Sequence, residues 1–70
     1  MPFVNIKLLD GEDAPTKDQK EALIKGATQL LVDVLNKNPA TTLVVIEEVS
    51  KDNWGIGGES VTTRRAKAAK

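Results

Sequence analysis

Two apolar segments of strand length, separated by one long amphipathic segment, constrain the fold of this chain more than any other feature. Residues 3–9 alternate apolar and polar side chains, which predicts a strand with Val4, Ile6 and Leu8 on one face. Residues 41–49 predict a second strand, and its continuously apolar centre is typical of a strand covered on both faces. Strands joined through a helix lie parallel with a right-handed crossover, so we expect an α+β fold built on a β-α-β unit.

The segment between the two strands predicts a single helix that ends near Asn36. Thr16 and Gln19 have the spacing of a capping box, in which each side chain satisfies a free backbone amide of the first turn. Asn36 is suited to the left-handed conformation that ends helices, and Pro39 blocks continuation. Apolar residues recur at helical spacing, at Leu23, Ala27, Leu30 and Val34, with Ile24, Leu31 and Leu35 widening the stripe.

The last part of the chain predicts a glycine-rich turn and a short extended arm. Residues 54–58 are not a phosphate loop, because no helix is predicted to begin there, and they favour a turn with positive φ values. Residues 59–63 predict a short strand or hairpin arm that reaches another subunit. We expect one domain over residues 1–65 and a basic, disordered tail over residues 66–70.

The chain is too small to be stable alone without help. It has 70 residues and neither Cys nor His, so disulfides and structural zinc are excluded as stabilising elements. Two strands and one helix also leave an open sheet edge and a bare sheet face. We therefore expect an obligate oligomer, in which two chains pair edge to edge as a four-stranded sheet with two helices on one side, and such dimers associate further.

Charge balance excludes several classes of partner. Ten acidic and ten basic residues cancel, and aromatic residues that stack on bases are nearly absent, so nucleic acid is not expected as a partner. No apolar run approaches the length of a membrane span and no signal-peptide pattern occurs. We expect a cytoplasmic protein that binds neither membrane nor metal.

Without His or Cys, few groups are available for catalysis. Pro2 follows Met1 directly, and removal of Met1 would leave a secondary amine able to act as a general base or a nucleophile. An ordinary proline at the first residue of a strand explains the same position. Trp54 is suited either to subunit packing or to a cavity wall. Glu47 and Glu48 are adjacent strand residues, so they face opposite ways and cannot act on one substrate atom.

The order of these features resembles the 4-oxalocrotonate tautomerase family over Pro2 to about Arg65. The matching residues are the strand Pro2-Phe3-Val4-Asn5-Ile6-Lys7, Asp10-Gly11, the helix start Gln19-Lys20, Glu48 at the end of the second strand, and Trp54-Gly55-Ile56-Gly57-Gly58-Glu59. The resemblance implies a β-α-β unit with a C-terminal hairpin, assembled as a hexamer of three dimers. It also implies a cofactor-independent isomerase that moves a proton in an enol or dienol acid, with Pro2 as the general base.

That role suits the chemistry of an α-amino group. Such groups titrate at about 7.7–8 in ordinary peptides, and an apolar site disfavours the charged form. General-base efficiency is greatest when the pKa of the base lies near the working pH. The resemblance therefore favours the catalytic interpretation of Pro2 over the structural one.

The sequence departs from the family where substrate is bound. Members of the family use two arginines to hold the substrate carboxylate and polarise its keto oxygen, and the matching positions here are Glu12, in a longer loop, and Leu43. Trp54 matches the family's phenylalanine wall. We predict that Leu43 and Trp54 shape the cavity and that Arg64 or Arg65 takes over anion binding, since arginine is suited to a bidentate carboxylate clamp.

Two other functions stay open from the sequence. Loss of both arginines favours a non-catalytic oligomeric scaffold that keeps the fold. Hydration or dehalogenation of an unsaturated acid, with a cationic proline as the acid, is a further possibility, although no carboxylate is assignable as the group that activates water.

Overall fold

The computed structural model describes residues 1–68, which form two parallel strands, a long helix, a small hairpin and a second helix. The elements are β1 (Phe3–Leu9), α1 (Lys17–Leu35), β2 (Leu43–Val49), β3 (Gly55–Ile56), β4 (Glu59–Ser60) and α2 (Val61–Ala68). Short 3₁₀ turns at Gly11–Asp13, Pro39–Thr41 and Lys51–Asn53 connect them. The predicted β-α-β unit with a C-terminal hairpin is confirmed.

The parallel pairing of β1 and β2 places their amino ends side by side. The register runs from Phe3 opposite Leu43 to Leu9 opposite Val49. Beyond the first pair, the Leu43 N–H donates to the Pro2 carbonyl oxygen at 3.0 Å. Pro2 and Leu43 therefore lie at one end of the sheet, and Leu9 lies at the other.

Helix α1 begins and ends as its sequence predicts. The Gln19 N–H donates to Thr16 Oγ1 at 3.1 Å, and the Thr16 N–H donates to Gln19 Oε1 at 2.9 Å. At the other end, Asn36 takes the left-handed conformation with φ of 54°. The capping box and the left-handed C-cap are both confirmed.

Thr16→Ala is expected to lower the free energy of unfolding by about 1 kcal/mol, because it leaves an amide of the first turn without its partner. Denaturant titration at one fixed protein concentration measures the loss. Thr28→Ala is the matched control, since the Thr28 hydroxyl donates to the Ile24 carbonyl within α1 and caps nothing. Equal destabilisation by the two substitutions would contradict a capping role for Thr16.

Helix α1 covers one face of the two strands. Val4, Ile6, Val44 and Ile46 are half-buried on this face, whereas their strand neighbours are exposed. Further along the same face, the Lys20 ammonium contacts the Glu48 carboxylate and joins α1 to β2. Among residues 1–68, no element covers the other face of the sheet.

The C-terminal region differs from the extended arm that its sequence predicts. Strand β4 ends at Ser60, and α2 begins at Val61 instead of continuing an arm to residue 63. The cause is local, because Ser60 Oγ accepts from the Thr63 N–H at 3.1 Å, which is the geometry of a helix cap. Residues 66–68, predicted as the start of a disordered tail, are helical, and residues 69–70 lie outside the described residues.

A single chain buries almost no apolar side chain. Among residues 1–68, Val61 is the one hydrophobic residue in the fully buried class, at 6% exposure. Large hydrophobic residues remain exposed at Phe3, Leu23, Ile24, Leu30, Val34, Leu35, Leu43, Val45 and Ile56. The radius of gyration is 15.6 Å, against about 11 Å for a compact chain of this length. The sheet and α1 thus lack the layers that would complete a core.

Neither α1 nor α2 combines the length and the apolar character needed to cross a membrane within residues 1–68.

Candidate functional site

Pro2 immediately precedes Phe3, the first residue of β1, at the amino end of the two-stranded sheet. Its carbonyl oxygen accepts the Leu43 N–H, and its side chain is half-buried, while Met1 is 87% exposed. With Met1 attached, the Pro2 nitrogen is a tertiary amide that can neither donate nor accept a proton at neutral pH. Removal of Met1 converts it into a secondary amine without changing the hydrogen bond to Leu43.

A cavity beside Trp54 lies at the other end of the sheet. This cavity of about 410 Å³ has apolar walls at Leu9, Trp54, Ile56 and Val61 and carries Arg64 and Arg65 on α2. The Val61 N–H donates to the Trp54 carbonyl oxygen at 2.8 Å, so the first residue of α2 is tied to the residue that forms the wall. The structure therefore brings Trp54, Arg64 and Arg65 together around one cavity.

The Arg64 guanidinium lies beside the β3–β4 turn, whose two glycines are explained by their backbone conformation. Gly57 and Gly58 have φ values of 60° and 88°, which favour glycine. A Cβ at Gly57 would lie 3.8 Å from Arg64 Nη1, so the guanidinium group packs next to the turn. Arg64 Nη1 also lies 4.0 Å from Glu59 Oε1.

Arg65 is held by the loop that follows β1. Its Nη1 donates to Asp13 Oδ2 at 2.6 Å and lies 3.8 Å from Glu12 Oε1. The same Glu12 oxygen is 3.8 Å from Lys51 Nζ. Glu12, at the position where the resembling family has an arginine, is thus part of an ion cluster beside the cavity.

Lys7 is a cation near Trp54 that sequence reasoning did not place. It lines a second cavity, of about 320 Å³, together with Val49, Asn53 and Trp54. Its Nζ lies 3.7 Å from Glu47 Oε1 on the neighbouring strand. Lys7 pairs with Glu47 in the register of the two parallel strands. The position of Lys7 beside Glu47 could therefore have been predicted from the alternation of β1.

Glu47 and Glu48 are separated by the sheet, as predicted. Glu47 Oε1 accepts from Asn5 Nδ2 at 2.7 Å on the open face, whereas Glu48 contacts Lys20 on the face covered by α1. The two carboxylates therefore cannot act on one substrate atom. Residues 1–68 also contain no group of three or more acidic side chains arranged to hold a metal ion.

Within one chain, the predicted site residues form two groups. Pro2 and Leu43 lie at the amino ends of the strands, and the Trp54 cavity lies at their carboxyl ends. Seven residues of β1 separate them, which corresponds to about 20 Å of extended strand. A substrate of a few carbon atoms cannot contact both groups in a single chain.

The chain is similar in sequence and fold to known tautomerases. A family model described as "Tautomerase enzyme" matches residues 2–64. A probable tautomerase, K2, from Dickeya dadantii is 64% identical over 69 residues, covering 99% of this chain and 100% of the relative. A 2-hydroxymuconate tautomerase from Pseudomonas putida is 42% identical over 60 residues, covering 86% of this chain and 90% of the relative. A solved structure named DmpI, from Helicobacter pylori, has a TM-score of 0.82 at 52% identity and covers 89% of this chain and 98% of that chain.

Proposed function

Because this chain belongs to the tautomerase family, we propose that it moves a proton in an enol or dienol carboxylic acid with the Pro2 amine as the general base. The observation that carries this proposal is the position of Pro2, which follows Met1 and immediately precedes β1 in a chain that contains no His and no Cys. The fold supports it, because the hydrogen bond from Leu43 fixes the backbone at the residue that bears the amine.

The reaction needs only a proton carrier and a site for the substrate's charge. The Pro2 amine takes the proton of the enol hydroxyl, and the resulting ammonium group returns it to a carbon atom of the conjugated chain. The double bond moves and a keto acid forms, with no atom gained or lost. Since no electrons leave the substrate, the reaction is complete without a redox partner, and we propose that it is independent of cofactors.

We place the complete site between two subunits. Antiparallel pairing of two chains at their open strand edges puts the amino ends of one strand pair beside the carboxyl ends of the other. Pro2 and Leu43 of one chain then lie near the Trp54 cavity of its partner, where Arg64 and Arg65 supply positive charge. Three such dimers in a hexamer would also cover the exposed sheet faces.

A non-catalytic scaffold is the second candidate, and one observation favours it. Glu12 and Leu43 stand where the resembling family has its two substrate-binding arginines, and Glu12 is engaged by Lys51 and Arg65. Such a scaffold would need no free amine at Pro2. Its assembly would be the same, so only activity separates the two.

The mature protein is expected to have lost Met1, and its activity should depend on that loss. Intact mass spectrometry of protein from cells tests the first point, because the mass falls by one methionine residue. Ketonisation of phenylenolpyruvate, followed by ultraviolet absorbance, tests the second. The same chain produced with methionine aminopeptidase inhibited is the control, and we expect it to be at least about 100-fold slower. Equal rates for the two forms would exclude amine catalysis, and absence of turnover by either would favour the scaffold.

A further inference from the structure

Arg64 and Arg65 are adjacent in sequence, but their charges are balanced very differently. Arg65 is bonded to Asp13 at 2.6 Å and lies 3.8 Å from Glu12, so two carboxylates offset its one charge. The acidic neighbour of Arg64 is Glu59, at 4.0 Å. Glu59 is in closer contact with the Lys67 ammonium. Of the two arginines in the cavity wall, Arg64 is therefore the one whose charge is poorly matched.

The Glu12–Asp13 loop is held in place by contacts at both of its carboxylates. Lys51 lies 3.8 Å from Glu12 on one side, and Arg65 holds Asp13 and Glu12 on the other. The Glu12 side chain is 77% exposed, so its charge is available to any group that approaches. Two carboxylates thus lie within 4 Å of Arg65 Nη1, one of the two cations of the cavity.

We propose that Arg64 binds the substrate carboxylate, that Arg65 is a positioning residue for the Glu12–Asp13 loop, and that the site selects acids with one carboxylate over acids with two. A single guanidinium group matches one carboxylate in a bidentate pair. A second carboxylate on the same ligand meets Glu12 and Asp13, and like charges placed together disfavour binding. This inference rests on the proposed function for the location of the site, and it adds the substrate class.

Sorbate and trans,trans-muconate form a matched pair of probes. Both are planar six-carbon dienoic acids, and muconate has a second carboxylate where sorbate has a methyl group. Neither contains an enol, so neither needs to react, and binding by titration calorimetry is independent of turnover. We expect the wild-type protein to bind sorbate about fivefold more tightly than muconate.

Three variants separate the roles. Arg64→Gln should abolish measurable binding of both acids. The double change Glu12→Gln, Asp13→Asn frees Arg65 and should reverse the preference, so that muconate binds more tightly. Arg65→Gln leaves the two acidic residues unmatched and should strengthen the preference for sorbate, an effect on the ratio that a purely structural role would not produce. Lys25→Gln, on the exposed side of α1, controls for loss of one positive charge.

Several results would overturn the inference. Muconate binding equal to or tighter than sorbate binding in the wild type would do so. So would a ratio of sorbate to muconate affinity that neither the double change Glu12→Gln, Asp13→Asn nor Arg65→Gln alters. Retention of both affinities in Arg64→Gln would remove the assignment of Arg64. Failure of the proposed function gives a different pattern, in which sorbate binds with the expected preference but phenylenolpyruvate is not converted.

Discussion

Pro2→Ala is expected to lower kcat/KM for ketonisation of phenylenolpyruvate by about 100-fold. Alanine also permits removal of Met1, so the variant retains an α-amino group, but this group is a primary amine on a freely rotating bond. The proline ring holds its nitrogen in one orientation at the end of β1. The loss should therefore appear mainly in kcat, because the substitution removes a fixed base and leaves the anion-binding site in place.

Stability should not change appreciably in the same variant. The backbone contact of Pro2 is the bond from the Leu43 N–H to its carbonyl oxygen, and alanine keeps that acceptor. Thermal unfolding and sedimentation of Pro2→Ala should therefore match those of the wild-type protein. Pro39→Ala is the control for loss of a proline ring, since Pro39 lies in a 3₁₀ turn and bears no terminal amine. Catalytic rates of Pro2→Ala within a few-fold of the wild type would show that another group is the base.

The main elements could be predicted from sequence because the periodicity of each element agrees with the residues that begin and end it. The alternation in β1, the capping box at Thr16 and the left-handed Asn36 each indicate the same boundaries that the structure has. Helix α2 was missed because its eight residues contain no apolar stripe. The signal was the Ser60 hydroxyl, which caps the Thr63 amide and competes with an extended arm.

The charge arrangement at the cavity could not be predicted in the same way. Asp13 and Arg65 are 52 residues apart, and their contact depends on how the loop after β1 and α2 meet in space. The sequence predicted that Arg64 or Arg65 takes over anion binding without distinguishing the two, and the structure gives them different partners. Their distance from Pro2, by contrast, follows from parallel strands and was within reach of sequence reasoning.

Part of the apolar stripe predicted on α1 is exposed, and this exposure has a geometric cause. A two-stranded sheet is about 10 Å wide, the width of one helix, so side chains on the flank of α1 extend past its edge. Leu30 is 59% exposed and Val34 is 70% exposed. A second helix, lying beside the first on a four-stranded sheet, would contact this flank.

Val34→Asp is therefore expected to dissociate the protein and unfold it in one step. Burial of a valine side chain contributes about 1.5 kcal/mol or more, and a carboxylate at the same position must be desolvated without a partner. Since Val61 is the one fully buried hydrophobic residue among residues 1–68, a separated chain has no core to retain α1. Sedimentation should show a monomer, and far-ultraviolet circular dichroism of the same sample should show loss of helix.

Concentration dependence and a matched control make this prediction specific to assembly. The wild-type Tm should rise with protein concentration, because dissociation and unfolding are coupled. Lys25→Asp introduces the same side chain on the same helix, away from the apolar flank, and should leave the sedimentation unchanged. A monomeric Val34→Asp protein with an intact helix signal would show that one chain is stable alone, and a Tm independent of concentration would show that subunit contacts do not stabilise the fold.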